Sequence, residues 1–209
     1  MKKNNLILGT FLAIASILFS GCGESVSVVT IGSQVWTNKN LDVETYSNGD
    51  VIPQVQDKNA WNNLNTGAWC YYDNDASNGT KYGKLYNWYA VHDPRGLAPS
   101  GYHISTDAEW EQLRDYSGGV SEAGTKMKST SGWYENGNGT NSSGFSGLPG
   151  GQRDSSGTFY GINTNGLWWS STRYGTNNAS FSFMHYADDY VYKYYSDKRF
   201  GFSVRIIRD

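Results

Sequence analysis

The sequence predicts a single-domain, loop-rich α+β fold, and three features carry that prediction. The first is an amphipathic segment with clear helix start and stop signals at residues 105–119. The second is a series of short segments after residue 167 in which apolar and polar residues alternate, as in half-buried strands. The third is a composition of 25 glycines, 15% aromatic and 17% charged residues in a chain of 209, which indicates one large core rather than disorder.

The first part of the domain predicts a hairpin, a strand and a short helical piece. Residues 28–41, "VVTIGSQVWTNKNL", alternate around a Gly-Ser turn and predict a β-hairpin. Residues 68–83 predict a strand that runs into a polar loop. Residues 83–91, "GKLYNWYAV", predict one or two helical turns because Leu85 and Trp88 fall on one face.

Two main helices are expected in the middle of the chain. Residues 105–119 contain Thr106 and Glu109 at the spacing of a capping box, and a pair of glycines follows as a stop signal. Residues 121–129, "SEAGTKMKS", predict a second helix that Gly124 weakens.

The end of the chain predicts a C-terminal β-meander. The expected strands alternate at a period of two and are separated by turns rich in Asp, Asn and Gly: residues 167–172, 179–186, 190–195 and 200–207. In the last of them, Phe200, Phe202, Val204 and Ile206 share one face, which we expect to join the core.

The N-terminus predicts export. Residues 1–21 combine two lysines with a fourteen-residue apolar run, which is shorter than a membrane-spanning helix and typical of a signal peptide. The residues before Cys22 resemble the lipobox of bacterial lipoproteins, in which the cysteine is lipidated and anchors the protein to a membrane, here expected to be the outer membrane. The alternative is a plain secretory signal followed by an unmodified cysteine. Residues 22–29 would be the lipidated tether, and residues 30–209 the domain.

Charge and cysteine content exclude other classes. The formal net charge of −2 provides no basic footprint for nucleic acid. Cys70 is the one cysteine besides Cys22, so no intrachain disulfide framework is expected. The fold must therefore be stabilised by core packing.

Three long motifs resemble one known family. They are "IGSQVWTNKNLDVETYSNGDVIP" (31–53), "YDNDASNGTKYGKLYNWYAVHDPRGLAPSGYHISTDAEWEQL" (72–113) and "GFSGLPGGQRDSSGTFYGINTNGLWWSST" (144–172). They resemble the Fibrobacter succinogenes major paralogous domain, over roughly residues 28–209. That family is similar in fold to C-type lectins and to the sulfatase-modifying domain that generates formylglycine. The resemblance implies an exported, often lipid-anchored domain of the C-type-lectin-like class and no known reaction.

The sequence does not predict an enzyme, and no cofactor is expected. The sulfatase-modifying relatives bind copper through a pair of cysteines, which Cys70 alone cannot supply. The histidines, His92, His103 and His185, have no ligand spacing, so we expect structural or surface roles and no metal site. A G-x-S-x-G nucleophile motif is absent.

A calcium loop is the alternative interpretation of residues 73–79, "DNDASNG". Asp73, Asp75 and Ser77 alternate as in an EF-hand, but Asn78 and Lys84 stand where the pattern needs Gly and Glu. We therefore expect a turn held by Asx hydrogen bonds, although the sequence does not decide the question of calcium at Asp73 and Asp75. The calcium-and-sugar motifs of C-type lectins, E-P-N and W-N-D, are absent.

The candidate ligand-binding surface lies near the C-terminus. Residues 186–197, "YADDYVYKYYSD", contain five tyrosines, and tyrosine is a contact residue of low entropy cost. Alternation places Tyr190, Tyr192 and Tyr194 on one face, which we expect to be the exposed one. The alternative is a tyrosine-rich sheet without a ligand. The predicted ligand-binding residues are Trp169, Tyr174, Asn177, Asn178, Tyr186, Asp188, Asp189, Tyr190, Tyr192 and Tyr194.

The expected function is adhesion or recognition without catalysis. The domain would bind a glycan or a protein surface ligand while Cys22 anchors it to the membrane. Three alternatives stay open: a structural part of an envelope assembly, a display protein diversified by a retroelement, and an orphan enzyme.

Overall fold

The structure is a computed structural model that describes residues 26–209. The predicted signal segment, residues 1–21, and the predicted lipid site at Cys22 lie outside the described residues. None of the described helices is both long enough and apolar enough to cross a membrane.

Three antiparallel sheets and five helices make up the described chain, which confirms the α+β class. The first sheet contains, in spatial order, β1 (Val28–Ile31), β2 (Gln34–Thr37), β12 (Ile206–Arg208) and β5 (Tyr102–Ile104). The second contains β3 (Trp69–Cys70), β4 (Leu85–Asn87), β11 (Gly201–Phe202), β6 (Gly150–Arg153) and β7 (Phe159–Ile162). The third contains β10 (Tyr192–Asp197), β9 (Asn178–His185) and β8 (Asn165–Tyr174).

The helices are short and begin at side-chain caps where the sequence supplies one. They are α1 (Lys58–Asn62), α2 (Ala76–Tyr82), α3 (Trp88–Val91), α4 (Asp107–Tyr116) and α5 (Ala123–Met127). The capping box of α4 is confirmed: Thr106 Oγ1 accepts from the Glu109 amide, and the Glu109 carboxylate accepts from the Thr106 amide. α5 is shorter than the predicted span of 121–129.

Three local predictions need correction. The predicted hairpin is confirmed, but β1 begins at Val28, so the last two residues of the predicted tether belong to a strand. Residues 83–91 are helical only in their second half. The predicted polar loop within residues 68–83 is mostly helix α2. Its asparagines and Gly79 concealed the helix, and a Cβ at Gly79 would lie 2.2 Å from the Tyr71 ring.

The predicted C-terminal meander is confirmed for β8, β9 and β10, but not for residues 200–207. These residues form two strands in two different sheets, β11 and β12, and the fully buried Arg205 lies between them. Its guanidinium donates to the Thr37 and Phe145 carbonyl oxygens at 2.6 and 2.8 Å, and to Asn40 Oδ1 at 2.7 Å. The predicted core face is still correct for Phe202, Val204 and Ile206, while Phe200 is partly buried.

The third sheet lies between two hydrophobic clusters. One face of β8 and β9 contributes Leu167, Trp169 and Phe181 to the first cluster. The other face contributes Trp168 and Met184 to the second cluster, which α4 and α5 cover. Because β10 is the outer strand of this sheet, its side chains extend past both clusters toward solvent.

Candidate functional site

The candidate site is built on β10, an edge strand. The register places Tyr192 opposite Phe183 and Tyr194 opposite Phe181. Phe181 in turn lies opposite Trp169 on β8. Residues directly opposite each other share a face, so these side chains define one side of the sheet, which we call the ladder face.

Three tyrosine rings on the ladder face stack on each other; we call Tyr190, Tyr192 and Tyr194 the tyrosine ladder. The ring centroids of Tyr190 and Tyr192 are 5.3 Å apart at 11°, and those of Tyr192 and Tyr194 are 5.6 Å apart at 21°. Nearly parallel planes at these separations correspond to offset stacking, the favourable geometry for aromatic pairs. Tyr190 is 41% exposed and Tyr194 is 48% exposed, whereas Tyr192 is half-buried between them.

The ladder rests on aromatic rings from β9. Phe183 lies 5.9 Å from the Tyr192 ring, and Phe181 lies 6.1 Å from the Tyr194 ring. Phe181 also contacts Trp169 and Phe202 of the first core cluster. The exposed tyrosines are thus the outer edge of a continuous aromatic layer, so the core fixes their positions.

The turn before β10 holds one end of the tyrosine ladder in place through hydrogen bonds. The Asp188 carboxylate accepts the Tyr190 amide at 3.0 Å and the Tyr192 hydroxyl at 3.3 Å. The buried Lys128 ammonium donates to the Asp188 carbonyl oxygen and lies 4.0 Å from the Asp189 carboxylate. Partial desolvation, and then the Asp188 charge, raise the pKa of Tyr192 above its ordinary value.

Trp169 is a correction to the predicted site. It is fully buried, and its indole N–H donates to the Tyr86 carbonyl oxygen at 2.9 Å. Trp169 lies on the ladder face, opposite Phe181, but the first core cluster covers that face along β8. Trp169 supports the ladder from below and does not reach a ligand.

The predicted residues at the β8–β9 turn lie away from the ladder. Tyr174 stacks on Tyr195 with centroids 3.7 Å apart, on the face opposite to the ladder. Asn177 and Asn178 are exposed at the same turn, about 20 Å along β9 from the Asp188 turn. The sequence predicted one surface for these three residues and the tyrosine ladder, but the sheet places them far apart.

Two further predictions concern polar turns. Tyr186 is partly buried and packs edge-on against Tyr134 at 5.3 Å, beside the second cluster. Lys198, in the turn after β10, is buried: it lies 4.8 Å from the Trp88 ring centroid and donates to the Thr176 carbonyl oxygen at 2.5 Å. Asp189 has an exposed carboxylate, as predicted.

Sequence reasoning missed the members of the site on β9. Phe181, Phe183 and His185 fall at alternate positions of "ASFSFMH" and lie on the ladder face. The alternation was visible in the sequence, but assigning these residues to the ladder required the hairpin register between β9 and β10. Lys128 had no sequence signal, because its partners follow it by about sixty residues.

The cysteine and histidines lie apart from one another. Burial raises the pKa of Cys70 to about 12, which leaves it a poor nucleophile. His92 stacks on Trp88, His103 binds Glu109 and Asp209, and His185 packs on Tyr186. Within residues 26–209, no three His, Cys, Asp or Glu side chains converge where a metal ion could bind.

The loop considered for calcium is bonded internally. Asp75 accepts from the Ser77 amide at 2.8 Å and caps α2. Asp73 lies in a 3₁₀ turn (Tyr72–Asn74) with a positive φ of 53°.

The structure is thus an α+β domain in which the edge strand β10 carries exposed aromatic side chains. The model of the Fibrobacter succinogenes major domain family (Fib_succ_major) matches residues 29–208, so the chain belongs to that family. This match confirms the family resemblance that was inferred from the three sequence motifs. Comparisons with curated proteins and with solved structures found no match.

Proposed function

We propose that this domain binds a surface ligand, a glycan or a protein, through the tyrosine ladder and without catalysis. The observation that carries the proposal is the exposed stack of Tyr190, Tyr192 and Tyr194 on an edge strand. Large apolar side chains exposed side by side are typical of interaction sites. The proposal includes a C-type-lectin-like fold, export, and a membrane anchor at Cys22.

The ladder is suited to binding because it is ordered before a ligand arrives. Rings of β9 support it from below, and Asp188 accepts a hydrogen bond from the Tyr192 hydroxyl. Binding therefore orders few side-chain torsions, which lowers the entropic cost of association. The exposed ring surfaces can stack on sugar rings or on apolar side chains.

The test is capture on an array of glycans and envelope proteins. The full chain is compared with Tyr190/Tyr192/Tyr194→Ala and with Tyr174/Tyr195→Ala, which removes two exposed tyrosines from the opposite face. We expect the first variant to lose capture and the second to retain it, with both folded by circular dichroism. Equal capture by all three proteins, or no capture by any of them, would refute the proposal.

The membrane anchor has its own test. In a bacterial host, Cys22→Ser should move the protein from the detergent phase to the aqueous phase and remove incorporation of labelled fatty acid. Incorporation that persists in this variant would contradict lipidation at Cys22.

A further inference from the structure

An open cleft of about 850 Å³ lies between the segment after β2 and the end of α2. Asn40 and Leu41 line one side of it, and Tyr82 and Gly83 line the other. The Asn40 side-chain amide donates to the Tyr82 carbonyl oxygen at 2.8 Å, which joins the two sides. A volume of this size is typical of clefts that bind small molecules. No residue of the tyrosine ladder lines this cleft, so it is a separate candidate site.

The charged side chains that line the cleft are mostly positive. Lys39 and Lys81 are both exposed there, and neither forms an ion pair with a carboxylate of residues 26–209. Asp42, the acidic residue of the lining, is bound by the buried Lys84 at 2.5 Å. Glu24 in the tether adds one negative charge, which the two lysines outnumber. The cleft therefore favours an anion, although the whole chain has a formal net charge of −2.

Arg205 adds a positive charge behind the wall of the cleft. It is fully buried, and its guanidinium donates to Thr37, Asn40 and Ser146, which all line the cleft. These acceptors and the Phe145 carbonyl oxygen are neutral, so they satisfy N–H groups without cancelling the charge. Burial lowers the pKa of Arg205 to about 9, which leaves it charged at neutral pH. Water screens a buried charge weakly, so this cation also attracts an anion in the cleft.

Apolar side chains complete the lining. They are Val26, Leu41, Val43, Pro99, Leu148 and Ile206. Leu41 and Ile206 are buried, whereas Val26 is 39% exposed at the rim. Cationic and apolar groups side by side fit an anion that carries an apolar part better than they fit a bare inorganic ion.

The cleft lies close to the predicted lipid site along the chain. Val26 and Ser27 line it and directly follow the tether. Val26 is four residues after Cys22, so even a fully extended chain separates them by at most about 14 Å. The headgroup layer on each side of a bilayer is itself roughly 5–8 Å thick. A lipidated Cys22 therefore keeps the rim of the cleft near lipid headgroups.

We propose that this cleft binds the headgroup of an anionic phospholipid. Lys39 and Lys81 contact the phosphate, and the apolar side chains contact the glycerol and the first methylene groups. The inference rests on the membrane anchor of the proposed function, but it does not depend on ligand binding by the tyrosine ladder. A bound lipid would hold the cleft side of the domain against the membrane and so fix its orientation.

Native mass spectrometry of the full chain in a neutral detergent tests the site. We expect one phosphatidylglycerol to bind per chain, and phosphatidylcholine, which has a phosphate but no net charge, to bind about tenfold more weakly. Lys39/Lys81→Gln should raise Kd for phosphatidylglycerol about tenfold, because lysines near anionic lipids attract them. Lys58/Lys126→Gln removes two lysines outside the cleft and should change Kd less than about twofold. Equal Kd values for the two lipids, or for the two variants, would overturn the proposal.

Two further comparisons separate the possible sources of the result. Glycerol 3-phosphate at the concentration of the lipid should leave phosphatidylglycerol bound; displacement would assign the cleft to a soluble phosphate ester and overturn the proposal. Tyr190/Tyr192/Tyr194→Ala should bind the lipid with the wild-type Kd. A wild type that carries fatty acid at Cys22 but binds no phosphatidylglycerol would refute the lipid site alone. A wild type without fatty acid that still binds the lipid would refute the anchor and support the site.

Discussion

At the scale of single residues, His103 makes the clearest titratable contacts outside the tyrosine ladder. Its Nδ1 lies 2.7 Å from Asp209 Oδ1 and its Nε2 lies 2.6 Å from Glu109 Oε1, so both nitrogens must carry protons to donate in both contacts. Desolvation acts to lower the pKa of His103, but the hydrogen bonds to Asp209 and Glu109 outweigh it and raise the pKa. His103 thus joins β5 to α4 and to the residue after β12.

This contact predicts a loss of stability above neutral pH. Since the folded-state pKa of His103 is raised, its contribution is complete below the unfolded value of about 6.5 and is lost as the pH rises through the folded value. We expect urea unfolding to show a decrease of less than about 1 kcal/mol between pH 6 and pH 9, because the ring is 39% exposed and solvent screens the pair.

The matched control is His103→Gln, which should show a flatter profile over the same pH range. His92→Gln, a substitution of an exposed histidine that stacks on Trp88, should keep the wild-type profile. Wild type and His103→Gln with the same pH dependence would contradict the assignment.

At the scale of elements, buried cations lie where two strands end. Arg205 lies between β11 and β12, and Lys198 directly follows β10. Both lie over aromatic rings and donate to backbone carbonyl oxygens. Each cation joins the end of a strand to a distant segment, because it binds carbonyl oxygens there that would otherwise be unsatisfied.

Arg205→Lys tests this role while preserving the charge. An ammonium group cannot reproduce the planar fork that reaches Thr37, Phe145 and Asn40, so buried acceptors are left unpaired. We expect a loss of about 2–4 kcal/mol in the free energy of unfolding, measured by urea titration. Arg208→Lys, on the exposed end of β12, should change it by less than about 0.5 kcal/mol. Similar losses in both variants would contradict the account.

At the scale of the whole molecule, local sequence predicted some features and long-range packing decided others. The capping box at Thr106 and the alternation of Tyr190, Tyr192 and Tyr194 depend on near neighbours, and the structure bears both out. The burial of Trp169 and Lys198 depends on Tyr86 and Trp88, which are far away in sequence. No local sequence pattern could therefore have predicted the burial of these two residues.

The exposure of the tyrosine ladder also depends on the whole molecule, through the order of strands in the sheet. Alternation placed the three tyrosines on one face but could not show that β10 lies at the edge of its sheet, because strand order depends on pairing. The same face is covered along β8 and exposed along β10. The tyrosine ladder is thus the outer edge of a buried aromatic layer, and replacing its rings by alanine should leave the core intact.

The most direct test of ligand binding by the ladder compares two neighbouring tyrosines. Tyr194 and Tyr195 are 48% and 45% exposed and point to opposite faces of β10. For a ligand captured by the wild type, we predict that Tyr194→Ala raises Kd about tenfold, as expected for a contact worth about 1–2 kcal/mol, whereas Tyr195→Ala changes it less than about twofold. An equal effect of both substitutions, or a larger effect of Tyr195→Ala, would contradict binding through the ladder face.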